Sequence, residues 1–203
     1  LIRSVAGLVM LVPAIQRVGV KTILTPDRLS LHFLRAFCAT AEVAFFYWSV
    51  VYLPLADAVA FYLASPIFVT ILAVIFLKEQ VGWRRWAAVT VGFIGVLIAI
   101  KPTGDGVGWP ALIALSGSLL FAGSNILTRR LAGTNEVTLV SWQVLSALVF
   151  GLIAAPFNWV QPSLRDFLAL SLLGIIANLA HMGVHRSLRY APAATVIPYQ
   201  YSL

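Results

Sequence analysis

Ionisable side chains inside long apolar segments are the groups of this chain that could do chemistry. Glu42 lies about two turns into such a segment, where a charged group is costly unless it faces a cavity or a partner. One hypothesis is that the Glu42 carboxyl lines a polar cavity, where it could bind a small molecule or carry a proton. The other is that it is a structural partner of Arg35, seven residues earlier on the same helix face.

Asn178, His181 and His185 form a second candidate group, because this spacing places all three on one face of a helix. Such a face predicts a polar wall with a titratable imidazole at His181, whereas His185 is expected in an interfacial position at the end of its segment. Two histidines four residues apart could also ligate a metal. However, Met182 stands where an H-E-x-x-H motif requires Glu, and His32 is the one other histidine. The sequence therefore predicts neither a metal site nor a cofactor.

A proline in the middle of an apolar segment predicts a bend. Pro66 cannot donate a backbone hydrogen bond, and the carbonyl that it leaves free must face protein or a wet cavity. Ser65 precedes it and shares a helix face with Tyr62, so these residues are candidates for lining a cavity at the bend. The alternative is a proline that is merely tolerated. Asp57, at the start of the same segment, is interpreted as a helix N-cap.

Two further side chains complete the predicted site. Asn125 is a lone amide in an apolar segment, which either bonds to a neighbouring helix or lines a polar path. The ring of Tyr199 offers stacking surface with a polar edge. The sequence predicts that one central cavity collects Glu42, Tyr62, Ser65, Pro66, Asn125, Asn178, His181 and Tyr199.

The composition indicates what must position these residues. Of 203 residues, 61% are hydrophobic and 10% are charged, and the mean hydropathy is +0.94. A soluble domain usually has about 25% charged residues, so a soluble globular protein and a disordered chain are both excluded. The sequence predicts an all-α polytopic membrane protein, since a spanning helix needs about 20 apolar residues. The single cysteine, Cys38, cannot form an internal disulfide.

Seven full spans and a truncated eighth are predicted from the runs that lack charged residues. They lie near 2–18, 32–53, 57–77, 84–101, 109–129, 137–157 and 166–186, with the eighth starting near 191. A clear turn is predicted at 103–106. Because the chain lacks an initiator Met and ends within an apolar run, we expect it to be a fragment of a longer protein.

The basic residues predict the orientation. With these spans, eleven Lys and Arg residues fall on one side of the membrane and three on the other. The positive-inside rule places the richer side in the cytoplasm, including the loops 18–31, 78–84, 129–136 and 186–190. The net charge of +7 is thereby explained by anionic lipid rather than by nucleic acid, and the expected location is the plasma membrane, a bacterial inner membrane.

An internal repeat adds to this interpretation. Residues 52–66 and 187–201 can be aligned so that Ala-Asp-Ala at 56–58 matches Ala-Pro-Ala at 191–193. Five predicted spans separate equivalent positions, so the two copies would run in opposite directions across the membrane. Inverted repeats of this kind are typical of secondary transporters.

At this point a set of motifs resembles the EamA family of the drug/metabolite transporter superfamily. The motifs, in order, are Leu53-Pro54-Leu55-Ala56-Asp57-Ala58, Ser65-Pro66-Ile67-Phe68, Leu77-Lys78-Glu79-Gln80, Gly82-Trp83-Arg84-Arg85-Trp86 and Gly92-Phe93-Ile94-Gly95-Val96. The resemblance implies two inverted repeats of five helices. Residues 1–104 would hold most of the first repeat, without its first helix. Residues 105–203 would hold the second repeat, truncated at its fourth helix.

The resemblance also implies a function, which is expected to be transport of a small organic metabolite by alternating access, with proton coupling as one option. No G-x-x-x-x-G-K-[ST] motif is present to drive transport with ATP. The expected partners are the solute and the bilayer, and a homodimer is left open. The alternatives are a membrane-embedded enzyme and a non-transporting membrane protein. An enzyme is not expected, because the chain offers one deep carboxylate and one deep histidine rather than a catalytic cluster.

Overall fold

The computed structural model describes residues 1–100, 108–158 and 160–202, which are almost entirely helical. No β-strand occurs in these ranges, so the all-α fold class is confirmed. The α helices are α1 (Ile2–Val18), α2 (Val20–Leu24), α3 (Leu29–Tyr52), α4 (Leu55–Tyr62), α5 (Ser65–Leu72), α6 (Trp83–Ile100), α7 (Trp109–Arg130), α8 (Glu136–Asn158), α9 (Leu164–Tyr190) and α10 (Ala193–Val196). A π-helical turn, Ala73–Leu77, extends α5, and a 3₁₀ segment, Ile197–Ser202, follows α10.

Five segments of the described chain are long and apolar enough to cross a membrane. They are Leu29–Tyr52, Leu55–Leu77, Trp109–Arg130, Glu136–Pro156 and Leu164–Tyr190. Each coincides with a predicted span. The two other predicted spans coincide with α1 and α6, but the count of seven is not confirmed. The predicted turn at 103–106 and the boundary between residues 104 and 105 lie outside the described residues.

The chain folds into two compact units. Unit 1 consists of Leu1–Thr40 and Leu131–Arg189, and unit 2 consists of Ala41–Arg130 and Tyr190–Leu203. Each unit takes segments from both halves of the sequence. The units therefore differ in composition from the predicted repeats 1–104 and 105–203, which stay a prediction.

Unit 1 is built from α1, α2, α8, α9 and the first part of α3. A Cβ atom at Gly7 would collide with the amide of Asn178, and one at Gly174 would collide with the backbone of Arg3. The two glycines thus let α1 and α9 approach closely, as small residues do in membrane helix pairs. The apolar core beside this crossing consists of Leu11, Val140 and Val144, with Leu8, Ile15 and Met182 packed against it.

In unit 2, α4 packs against α7 through alanines that are fully buried, Ala58 and Ala114. Asp57 is not the N-cap of α4, which corrects our interpretation of its role. The N-cap is Pro54, whose ψ of 142° keeps it outside the helix, and no side chain caps α4. Asp57 lies instead in the first turn and is 6% exposed. A negative charge is favoured there by the helix dipole.

The starts of α4 and α10 have the same local geometry. Both helices are capped by a proline, Pro54 with φ −52° and ψ 142° and Pro192 with φ −57° and ψ 143°. Each proline follows a helix that ends two residues earlier, at Tyr52 or Tyr190. The structure thus matches Pro54 with Pro192, whereas the sequence alignment matched Asp57 with Pro192. The repeat and its inverted direction stay predictions.

Candidate functional site

A break in the spanning segment Leu55–Leu77 is the centre of the polar contacts in unit 2. Helix α4 ends at Tyr62, and α5 begins at Ser65, one residue before Pro66. Because Pro66 has no N–H, it cannot bond to the carbonyl of Tyr62 four residues earlier. The hydroxyl of Ser118 in α7 donates to that carbonyl instead, at 3.3 Å. The freed carbonyl therefore faces protein, which is one of the two outcomes that the sequence allowed.

The side chain of Tyr62 fixes the break against neighbouring helices. Its hydroxyl donates to the backbone carbonyl of Glu42 in α3 at 2.8 Å. Its ring packs edge-on against Phe46, with centroids 5.0 Å apart. Gly117 in α7 makes room for the ring, because a Cβ there would collide with the Tyr62 hydroxyl and lie 2.7 Å from Cζ. The residue before the break is thus held by hydrogen bonds on both its side chain and its carbonyl.

The other predicted site residues of unit 2 lie in different surroundings. Ser65 is 2% exposed and Pro66 is also buried, whereas Glu42 is half-buried. The amide of Asn125 donates to the carbonyl of Phe121 in its own helix, at 2.9 Å. Tyr199 is 73% exposed and lines a cavity of about 230 Å³ beside α6.

In unit 1, the predicted face of α9 is turned toward the interior. Asn178 is buried against Gly7 of α1. The rings of His181 and His185 are stacked, with centroids 6.1 Å apart and planes inclined by 27°. His185 is 6% exposed, and α9 continues for five residues beyond it, to Tyr190. The interfacial position expected for His185 stays a prediction.

Arg35 is a buried residue rather than a loop charge, although our orientation argument counted it on the cytoplasmic side. It is 1% exposed. One guanidinium nitrogen lies 3.3 Å from Gln143 Oε1 and 3.4 Å from His185 Nε2, and the other donates to the carbonyl of Leu139. A guanidinium cannot accept a hydrogen bond, so His185 Nε2 accepts and its proton resides on Nδ1.

His32 lies one turn before Arg35 on α3 and is fully buried. Its ring is tilted against that of Trp142, with centroids 6.1 Å apart. Neither nitrogen of His32, nor His185 Nδ1, nor Asn178 Nδ2 makes a hydrogen bond to the chain that the structure describes. Sequence reasoning did not predict that His32 and Arg35 are buried inside unit 1. The signal was available, since residues 32 and 35 share a face at the start of an apolar helix.

A third set of contacts joins distant parts of unit 2. The Glu79 carboxylate accepts hydrogen bonds from the backbone N–H groups of Ala193 at 3.1 Å and Ala194 at 3.3 Å. It also pairs with Arg129, at 3.8 Å. Glu79 thus holds the start of α10 beside the end of α7. Glu79 belongs to one of the motifs that carry the family resemblance, but its partners were not predicted from the sequence.

The predicted site residues therefore fall into two groups. Unit 2 brings Tyr62 to the backbone of Glu42, whereas Asn178 and His181 share the interior of unit 1 with Arg35. The convergence of Glu42 and His181 on one cavity stays a prediction. In the described ranges, no group of three His, Cys, Asp or Glu side chains could hold a metal ion.

Comparison with known proteins agrees with this architecture. A solved crystal structure matches 99% of this chain with a TM-score of 0.82, over 72% of its own length, and its 17% identity makes this a likeness of fold alone. A riboflavin transporter of Vibrio cholerae is 26% identical over all of this chain and 69% of its own length. A riboflavin transporter of Rhizobium johnstonii is 30% identical over 92% of this chain and 62% of its own.

An S-adenosylmethionine uptake transporter of Rickettsia bellii is 25% identical over 95% of this chain and 66% of its own length. This chain therefore spans about two thirds of the length of these relatives. Residues 1–101 match the model of the EamA-like transporter family. This range contains the motifs from Leu53 to Val96 that carried the resemblance. The resemblance is thus confirmed, and the chain is a multi-pass membrane protein that is similar to the EamA-like transporter family over residues 1–101.

Proposed function

We propose that the protein, in its full natural length, is a secondary transporter that moves a small organic metabolite across the bacterial cytoplasmic membrane by alternating access. The observation that carries this proposal is the break between α4 and α5 in a segment long enough to span the membrane. Transporters use such discontinuous helices beside their substrate paths, because a broken backbone is tolerated only where protein or a cavity satisfies it.

The contacts at the break suit a hinge. Ser118 of α7 donates to the carbonyl of Tyr62 at the break, and the hydroxyl of Tyr62 donates to the carbonyl of Glu42 in α3. Side-chain hydrogen bonds of this kind each contribute about 1 kcal/mol, so they can be exchanged at a modest cost when the helices move. A continuous helix would instead hold α4 and α5 as one rigid rod.

The relatives suggest the class of solute. Riboflavin and S-adenosylmethionine both consist of a flat nitrogen heterocycle joined to a polar chain, and we extend this class to the present protein.

The proposal includes the count of seven spans and a truncated eighth, the inverted repeats and the use of Glu42 as a proton carrier. The convergence of the predicted side chains on one path belongs to it as well.

Uptake by cells tests the function. The full-length protein is expressed in a bacterium that cannot take up riboflavin or S-adenosylmethionine, and the accumulation of each labelled solute is compared with that of an empty vector. Accumulation or accelerated efflux of at least one solute supports the proposal. The Tyr62→Phe variant should lower the rate severalfold without lowering the amount of protein in the membrane. If a broad panel of heterocyclic metabolites moves no faster than in the empty-vector cells, the proposal is refuted.

A further inference from the structure

An apolar groove lies between α2, α3 and α8. Its volume is about 410 Å³. All of its lining residues belong to the two segments of unit 1, so the groove is a feature of that unit by itself. The large side chains in its lining include Leu24, Phe33, Phe37, Trp142, Val149 and Ile153.

The polar groups of the lining are bonded to the protein itself. The hydroxyls of Thr40 and Ser146 lie 2.6 Å apart, and the Ser146 hydroxyl also donates to the carbonyl of Ala36 at 3.3 Å. The indole N–H of Trp142 donates to the carbonyl of Ile23 at 2.9 Å. A polar solute would have to compete with these bonds, whereas a hydrocarbon chain needs none of them. The lining therefore favours a hydrocarbon chain.

The length of the groove fits one leaflet of a bilayer. Helices α3 and α8 run in the same direction along it, since Phe33 packs against Trp142 and Thr40 bonds to Ser146 further along both helices. Trp142 and Ile153 are eleven residues apart, which is about 16 Å along α8. This is about half of the ~30 Å hydrocarbon core. One acyl chain lying along α8 would thus extend from the membrane surface to near the midplane.

Cationic side chains lie near the end of the groove where α3 and α8 begin. They are Arg17 at the end of α1, Lys21 in α2, and Arg28 directly before α3, and all three are exposed. In the described part of the chain, none of them forms an ion pair with a carboxylate. Lys21 and Arg28 belong to the loop 18–31, which is predicted to be cytoplasmic.

The acidic residues at this end do not cancel the positive charge. Asp27 is the acidic residue next to Arg28, so three positive charges and one negative charge leave a surplus of two. Glu136, in the first turn of α8, is paired with Arg189 at 3.9 Å. The surplus favours an anionic group at the mouth of an apolar groove, which is the charge distribution of an anionic phospholipid.

We propose that the groove binds one anionic phospholipid of the cytoplasmic leaflet, with an acyl chain along α8 and the phosphate beside Lys21 and Arg28. The chain gains little from the hydrophobic effect, because the bilayer that it leaves is equally apolar. Its close contacts with the groove supply packing, and the charge of the headgroup selects the lipid. The bound lipid would hold α2 against α3 and α8 at the membrane surface.

Photolabelling of the purified full-length protein in mixed micelles tests this inference. The probe is phosphatidylglycerol with a diazirine in one acyl chain, and unlabelled phosphatidylglycerol or phosphatidylcholine with the same chains competes with it. The label should appear on groove residues of α3 and α8, such as Phe37 and Val149. Phosphatidylglycerol should compete about tenfold or more effectively than phosphatidylcholine, because each Lys or Arg near an anionic headgroup contributes about fivefold.

A pair of double variants tests the role of charge. The Lys21→Gln, Arg28→Asn variant should lower the competition ratio to about two or less. Asparagine is chosen at residue 28 because this position has a φ of 58°. The control Arg165→Gln, Arg186→Gln removes two exposed arginines of α9 and should leave the ratio unchanged.

A second pair keeps the test decisive if the first double variant does not fold. Val149 and Leu152 of α8 are 55% and 56% exposed, and Val149 lines the groove whereas Leu152 does not. Val149→Trp should fill the groove and lower the labelling of α3 and α8 severalfold. Leu152→Trp should not change it.

Four results would overturn the inference. The first is equal competition by the two lipids in the wild type. The second is an unchanged ratio in the folded Lys21, Arg28 variant, or unchanged labelling in Val149→Trp. The third is competition by glycerol phosphate as effective as that of phosphatidylglycerol, which would indicate a site for phosphate alone. The fourth is label that appears away from the groove, as expected if a further segment of the full-length chain or a second copy fills it.

Discussion

Substituting Gly117 by alanine should disturb the break between α4 and α5. The new Cβ would collide with the Tyr62 hydroxyl and lie 2.7 Å from Cζ of the same ring. The ring must move, and its hydrogen bond to the carbonyl of Glu42 must lengthen or break. Gly123 is the matched control, because it lies in the same helix and a Cβ there meets no atom within 4 Å.

The expected difference follows from these contacts. Forcing an extra methyl group into a packed site costs about 1–3 kcal/mol, and the lost hydrogen bond of Tyr62 adds about 1 kcal/mol. Alanine is the better helix former by up to about 1 kcal/mol, but this gain is common to both variants and cancels. Gly117→Ala should therefore be less stable than Gly123→Ala by about 2–4 kcal/mol.

Unfolding of the purified full-length variants in mixed micelles measures this difference. Adding Tyr62→Phe to Gly117→Ala should restore part of the stability, since the hydroxyl is removed but the ring carbon at 2.7 Å remains. The free energies of unfolding of the wild type, the two single variants and the double variant together give the coupling energy between Gly117 and Tyr62. If Gly117→Ala is as stable as Gly123→Ala, the contacts assigned to Tyr62 are refuted.

Three further predictions concern charged groups and topology. The Glu79→Gln variant should lose about 1 kcal/mol of stability, because an amide offers one acceptor oxygen where two accept now. The Glu136→Gln variant should lose less, since its partner Arg189 is half exposed. Unfolding measurements compare the two variants, and equal losses would contradict the role of Glu79. Cysteines introduced at Glu79 and Gly104, on a Cys38→Ser background, should be labelled from opposite sides of the membrane; labelling from the same side contradicts the predicted spans. Glu42→Gln should abolish the pH dependence of uptake without changing the melting temperature, and unchanged pH dependence would leave Glu42 as a structural group.

The positions of the helices could be predicted from the sequence because each apolar run ends at charges, prolines or glycines. All seven predicted spans coincide with helices, to within a few residues, over the described chain. The bend near Pro66 was also predictable, since the missing N–H is a property of the residue itself. The two residues of the turn, Leu63 and Ala64, were not, because a proline does not specify how the preceding carbonyls find partners.

The partners of the polar side chains could not be predicted, because they depend on which helices are neighbours. Asn125 bonds to its own helix, and nothing in its sequence surroundings distinguishes this from a contact between helices. Arg35 was assigned to the aqueous side because its position near the end of a span is typical of a loop charge. Its burial follows from the presence of Gln143 and His185 on two other helices.

Counterflow in proteoliposomes is the most direct test of the claim that this protein transports a metabolite by alternating access. Vesicles that contain the purified full-length protein are loaded with unlabelled riboflavin or S-adenosylmethionine, and the entry of the same labelled solute is followed. Our account predicts that internal solute accelerates entry of the label severalfold, with a transient accumulation above equilibrium, and that Gly117→Ala weakens this effect relative to Gly123→Ala. Label that enters these vesicles no faster than protein-free vesicles, for every solute tested, would contradict the account.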